Sequence, residues 1–269
     1  MELNLPWVES VFFEEELQKR SHLSNEEQQQ ARYYHENGYL VLKNFLKPGL
    51  VDELRSYLEE NYQADAGQNR ARDLWRSSPA VKELAVDKKV QAKLKMLYDR
   101  QPIPFQTLNF KHGSQQSPHS DSLHFHSFPE RFMCGVWVAL EDVDESNGTL
   151  VYYPGSHKMN TYNLHALSKD FYPAPEAYTK KYAPFIEKLM EEEGLFPEYF
   201  RARKGDLIIW SANLIHGGLP FKDSNRTRWS QVTHYFFEDC VYYNPRESNA
   251  VAGEWSMDKI TDIRTGQRL

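Results

Sequence analysis

FMCGVWVALEDVDESNGTLVYYPGSH, residues 132–157, reads as two strands and the turns that close them. Residues 132–140 are apolar, β-branched and aromatic, and the run stops at Glu141-Asp142. Asn147-Gly148 is a hairpin signal, because both residues tolerate the positive φ that a tight turn demands. Leu150–Tyr153 is a second apolar run, ended by the turn pair Pro154-Gly155. The same texture recurs in FQTLNFKHG (105–113), GDLIIWSANLIHGG (205–218) and RWSQVTHYFFE (228–238), each bounded by Gly, Pro, Asn or Asp. Several short strands in succession predict a sandwich or barrel.

Outside these strands the chain is helical or irregular. Ser24-Asn25-Glu26-Glu27 offers a helix cap with acidic first-turn residues. NGYLVLKNFL (37–46) reads as a turn and a strand. Pro48 then opens a helix whose Leu50, Val51, Leu54 and Leu58 recur at helical spacing. Another helix is predicted over 79–98. From 160 to 201 the strand pattern lapses, and PEAYTKKYAPFIEKLMEEEGLFPEYF (175–200) predicts one helix with flanking loop. An insertion of this length is either a lid or a helix packed on the barrel. The expected architecture is a single domain over 1–269, mainly β with flanking helices. A mostly helical N-terminal layer (1–103) covers a double-stranded β-helix, a cupin-like jelly roll (104–242), and a polar tail follows (243–269).

Composition narrows the function. The 269 residues carry a net charge of −6 and no Lys/Arg-rich run, which argues against a nucleic-acid partner. The longest apolar run, 132–140, falls far short of the roughly 18 residues that span a bilayer. The first residues are acidic and lack the basic start and apolar stretch of a signal peptide. Two cysteines, Cys134 and Cys240, form no disulfide framework. We therefore expect a cytoplasmic protein, with no nucleic-acid or membrane partner and no signal for an oligomeric state.

Three histidines and an aspartate crowd into SPHSDSLHFHS, residues 117–127. In an extended segment His119 and Asp121 share a face. His216, between the apolar strand GDLIIW and two glycines, is the best third donor. Two histidines and one carboxylate with open positions is the arrangement of non-haem Fe(II) oxygenases. His124 and His126 also share a face and are a rival pair. Spacing does not choose between them.

The motifs taken together do choose. PHSDSLHF, VWVALEDVDESNGTLVYYPGSHK, KGDLIIWSANLIHGG and RWSQVTHYFF, preceded by ENGYLVLKNFLKPGLVDELR, resemble in their order the phytanoyl-CoA dioxygenase family of Fe(II)/2-oxoglutarate oxygenases, over roughly residues 28–238. The resemblance implies that His119, Asp121 and His216 hold Fe(II), with 2-oxoglutarate and O2 as cosubstrates. It leaves His124 and His126 as neighbours of the substrate. Halogenases in the family have a small residue where Asp121 stands, so halogenation is not expected. The far carboxylate of 2-oxoglutarate needs a cation, and an arginine fork suits it. Arg228 heads the strand after the distal histidine and shares a face with Ser230, Val232 and His234, so Arg228 and Ser230 are the expected partners. Arg226 is expected in a surface ion pair. Asn109, on a strand resembling one that lends the family's cosubstrate a polar group, is the third candidate. Many relatives have a serine at the position of Gly218, so its contact is either missing here or supplied from elsewhere. The implied activity is hydroxylation of a small molecule with release of succinate and CO2. Desaturation, cyclisation or epimerisation could follow from the same hydrogen abstraction, and a non-catalytic jelly-roll binding protein is the alternative from another class.

Overall fold

A computed structural model describes all residues except 1–3, 67, 168–175, 250 and 251. The N-terminal layer is built from α1 (Phe13–Lys19), α2 (Asn25–Asn37), β1 (Tyr39–Leu42), α3 (Pro48–Asn61), β2 (Arg70–Arg72), α4 (Pro79–Ala85) and α5 (Lys88–Tyr98). β3 (Pro102–Phe110), β4 (His126–Phe128), β5 (Met133–Ala139) and β6 (Leu150–Tyr152) follow. Then come α6 (Leu164–Leu167), α7 (Ala183–Glu192), β7 (Glu198–Tyr199), β8 (Leu207–Ser211), β9 (His216–Gly218), β10 (Ser230–Phe237) and β11 (Val241–Tyr243).

Local chemistry sets the helix ends. Ser24 and Glu27 form a reciprocal capping box at α2, and Gly38, at φ +80°, closes it in the left-handed region. The stretch expected as one helix over 79–98 is two. Asp87 accepts hydrogen bonds from the backbone N–H groups of Lys89 (2.8 Å) and Val90 (3.0 Å), so it starts a new helix instead of continuing the old one. The insertion likewise is not one helix. Tyr178–Tyr182 form a π-helical turn that leads into α7, and 168–175 lie outside the described residues.

Two sheets face each other. The larger has the order β1-β8-β5-β10-β3-β2, and its neighbours that pair are antiparallel. The smaller has the order β7-β6-β9. Alternation along each strand decides what each face meets. Cys134, Val136 and Val138 of β5 and Leu207 and Ile209 of β8 pack with Leu54, Leu58, Val81 and Leu94 of the helical layer. Trp137, Ile208, Trp210 and Val232 point the other way, into the space between the sheets with Leu108, Phe110 and Leu150. This is the expected jelly roll, with helices on one outer face and a lined interior.

Candidate metal and cosubstrate site

β9 and the segment before residue 121 are joined by one antiparallel bridge. His119 N–H donates to His216 O (2.8 Å) and His216 N–H to His119 O (2.9 Å). The two imidazoles are thereby set side by side, with ring centroids 4.6 Å apart. Gly217 permits the approach, since a Cβ there would lie 2.7 Å from the Gln116 carbonyl oxygen. Asp121 does not continue an extended segment, as the two-residue spacing had led us to expect. It opens a 3-10 turn over Asp121–Leu123, capped by the Ser120 hydroxyl, which accepts from Ser122 N–H (3.1 Å). Ser120 N–H donates to the buried Tyr182 hydroxyl (3.2 Å), so the insertion braces the backbone between the two ligands.

The ring nitrogens have defined roles. His119 Nδ1 lies 3.0 Å from the Ser117 carbonyl oxygen and His216 Nδ1 lies 3.0 Å from that of Leu214. A carbonyl only accepts, so Nδ1 carries the proton and each Nε2 offers its lone pair. Those Nε2 atoms are 3.7 and 3.8 Å from Asp121 Oδ1. The three ligand atoms lie within 4.8 Å of one another, and all three residues are buried. Asp121 Oδ2 accepts a hydrogen bond from Trp210 Nε1 (2.8 Å) and lies 3.6 Å from His234 Nε2. One carboxylate oxygen is held by the protein and the other is left facing the two histidines.

Electrostatics suit a cation. Burial above all, with the nearby His216 charge, pushes the His119 imidazole down to about 3, against the pull of Asp121. Burial acts to raise the Asp121 carboxyl, but His216, His234 and His119 together hold it at about 2. Near pH 7 His119 is therefore a neutral imidazole donor and Asp121 a carboxylate, the ionisation states a metal ion requires.

The triad opens on a cavity of about 960 Å3. Arg228 lines it and is 1% exposed, with Nε and Nη1 lacking a hydrogen-bond partner among the described residues. Burial lowers its pKa to about 10, and Glu141 opposes that shift. The buried hydroxyl of Ser230, two residues on, also has no hydrogen-bond partner among the described residues. A guanidinium kept dry without an anion is costly, so this pocket is complementary to a carboxylate that the protein does not itself supply. Gly218 matches this picture. A Cβ there would overlap the Ser114 hydroxyl, which lines the cavity at that point.

Other residues fall elsewhere. Asn109 does not reach the cavity. It bonds the Gln231 amide oxygen (3.1 Å), and Gln231 in turn donates to Val81 O (3.2 Å) in the helical layer. The register explains this, because Ser230 pairs with Phe110 and Gln231 with Asn109, and cross-strand partners share a face. Arg226 pairs with Asp144 (2.8 Å) at the surface. His124 lines the cavity, whereas His126, in β4, stacks toward Tyr243 with centroids 5.1 Å apart. His157 is structural, its Nε2 lying 3.1 Å from His35 O. Reading the sequence missed His234 as a neighbour of Asp121, although its shared face with Arg228 was the available signal. It also missed Gln116 and Tyr178. Gln116 Nε2 lies 3.1 Å from both His119 Nε2 and the Tyr178 hydroxyl.

Comparison with known proteins bears on the family and the fold. The family model described as Phytanoyl-CoA dioxygenase (PhyH) matches residues 34–228. The chain is 28% identical over 150 residues to phytanoyl-CoA dioxygenase domain-containing protein 1 of Mus musculus, an alignment covering 51% of this chain and 50% of that protein. It is 25% identical over 252 residues to peroxisomal phytanoyl-CoA dioxygenase of Rattus norvegicus, covering 80% of this chain and 69% of that one. The chain thus spans half the length of the first relative and about two thirds of the second. Among solved structures, the epimerase SnoN in complex with Fe3+, alpha ketoglutarate and nogalamycin RO superposes with a TM-score of 0.60 at 19% identity, covering 81% of this chain and 86% of that one. That likeness establishes the fold. No helix among the described residues is long and apolar enough to cross a membrane.

Proposed function

The chain belongs to the phytanoyl-CoA dioxygenase family, and we propose that it is an Fe(II)- and 2-oxoglutarate-dependent dioxygenase that hydroxylates a small molecule, releasing succinate and CO2. One observation carries the reading: the His119–Asp121–His216 triad and the unpartnered, buried Arg228 line the same cavity. A structural metal would more often take four protein ligands, and these three leave positions open. Bound Fe(II) and 2-oxoglutarate supply, with O2, the oxidising power that removes a hydrogen from the substrate.

The protein's own residues do the rest. The Nδ1–H bonds of His119 and His216 keep both Nε2 lone pairs turned inward. Trp210 holds Asp121 Oδ2 and so fixes the orientation of Oδ1. Arg228 and Ser230 bind the far carboxylate of the cosubstrate through a charged fork and a hydroxyl donor. Trp137, Leu150 and Val232 keep that end dry. Phe125, His124 and Tyr178 form the wall toward the mouth, where the substrate lies. Both cysteines are free, which suits work in the reducing cytoplasm.

The experiment is a panel of small molecules incubated with the Fe(II)-loaded protein, 2-oxoglutarate and O2, read by succinate and by product mass. The reading requires succinate formation that His216→Ala abolishes, with product one oxygen heavier. A product two hydrogens lighter, or isomeric with substrate, would keep the iron chemistry and replace hydroxylation. Absence of succinate across the panel, in wild type as in variant, would count against an oxygenase.

A further inference from the structure

We infer that the substrate is a small organic anion, a carboxylate or phosphate ester, bound by a ring of three arginines at the cavity mouth: Arg70, Arg72 and Arg246. This rests on the oxygenase reading for the site itself and adds what the site admits. β2 is an edge strand paired to β3, with Arg70 opposite Phe110 and Arg72 opposite Leu108. Phe110 and Leu108 line the cavity, so the cross-strand rule puts both arginines on the cavity face, and Ala71 between them is buried on the other. Arg246 comes from the tail after β11 and lines the same cavity. Its guanidinium lies 3.4 Å from His124 Nδ1 and 6.0 Å from the centre of the Tyr178 ring. Arg70 and Arg246 both act electrostatically on His124 and on Tyr178, which places the two cations about one space.

None of the three has an ion-pair partner among the described residues. Arg70 Nε donates to the Gln68 amide oxygen (2.7 Å), a neutral group. Asp65 is the nearest acidic influence on Arg70, and its Oδ1 accepts the backbone N–H of Arg72 (3.3 Å). Among the described residues the single carboxylate lining the cavity is Asp121, already committed to the triad. On a chain of net charge −6, a mouth with three guanidinium groups that have no ion-pair partner among the described residues is a local inversion of field. It draws anions in and disfavours cations. Arg228, buried at the dry end, is the receptor for the cosubstrate's carboxylate, so the ring is left for the substrate. Gln116, Tyr178 and His124, between ring and triad, offer polar contacts to the middle of the molecule.

The test uses the full chain with zinc(II) and 2-oxoglutarate bound, titrated with matched probes and followed by ligand-detected NMR. The probes are hexanoate, hexyl phosphate and hexanamide, with phenylacetate, phenyl phosphate and phenylacetamide as the aromatic set. At least one anion should bind tenfold or more tightly than its neutral amide. The Arg70→Gln/Arg246→Gln double variant should erase that preference while 2-oxoglutarate affinity moves less than twofold. The carboxylate and phosphate arms decide which anion is preferred. Equal binding of amide and anion, no binding of any anion, or an anion preference that survives the double variant overturns the inference. A parallel fall in 2-oxoglutarate affinity would assign the ring to the cosubstrate and also overturn it. Failure of the wild type to bind 2-oxoglutarate with metal would instead strike the oxygenase reading.

Discussion

Arg228 and Arg226 are two residues apart and have opposite fates. Arg226 sits at the surface against Asp144, where an exposed pair contributes little, about 0–1 kcal/mol. Arg228 is fully buried and lacks an anion of its own. Losing a buried charge partner typically costs about 2–5 kcal/mol of binding. Arg228→Ala should therefore raise the 2-oxoglutarate concentration needed for half-maximal turnover by at least thirtyfold, and Arg226→Ala by less than twofold. Equal effects would remove Arg228 from the site. The arginine was legible in the sequence because one strand's alternation suffices to place it with Ser230. Asn109 was not, because its direction depends on the register between β3 and β10, which one strand does not reveal.

Whole elements hold the site through Gly135, Gly217 and Trp210. Trp210 of β8 lies across β5 at Gly135, and a Cβ on Gly135 would run into the indole ring. That indole is the donor to Asp121 Oδ2. Gly135→Ala overpacks this contact and should destabilise the fold by about 1–3 kcal/mol, seen as a lower urea midpoint. Gly49, in the first turn of α3, has open space around it, and Gly49→Ala should be neutral or stabilise by up to about 1 kcal/mol. A similar loss at both positions would refute the packing argument. Strands and capped helices were legible because period and cap residues are local signals. The break at Asp87, the 3-10 turn at Asp121 and the π-helical turn at Tyr178 were not. The first two are set by side-chain caps, Asp87 and Ser120, which leave the hydrophobic period unchanged. The arginine ring escaped for a related reason, since Arg70, Arg72 and Arg246 come from segments far apart in the chain and form no run.

Across the whole molecule, the helical layer meets the jelly roll at His157. Burial pushes its imidazole down to about 3, and the ring packs against Gly38 at the end of α2. The unfolded chain takes up this proton near pH 6.5, the folded chain only near 3. Stability from this group is therefore complete above pH 6.5 and is lost as pH falls below it. Between pH 7.5 and 5.0 the loss is about 2 kcal/mol. Glu9 acts with the opposite sign, because burial raises it to about 7 despite Arg131 at 3.0 Å. Its contribution grows as pH falls from 7 toward the ordinary carboxylate value. The measurable quantity is thus the gap in urea stability between wild type and His157→Gln, which should narrow by about 2 kcal/mol from pH 7.5 to 5.0. A gap independent of pH would mean that His157 is not held neutral.

The triad and Arg228 converge from β9, the residues just before β10 and the 117–121 segment only because the two sheets close on each other. The most direct test of that convergence is anaerobic addition of Fe(II) and then 2-oxoglutarate to the purified protein, followed by visible absorption. The account predicts a metal-to-ligand charge-transfer band that saturates with 2-oxoglutarate, is absent in His119→Ala, and needs far more cosubstrate in Arg228→Ala. No band at saturating 2-oxoglutarate, or a band unchanged in His119→Ala, would contradict it.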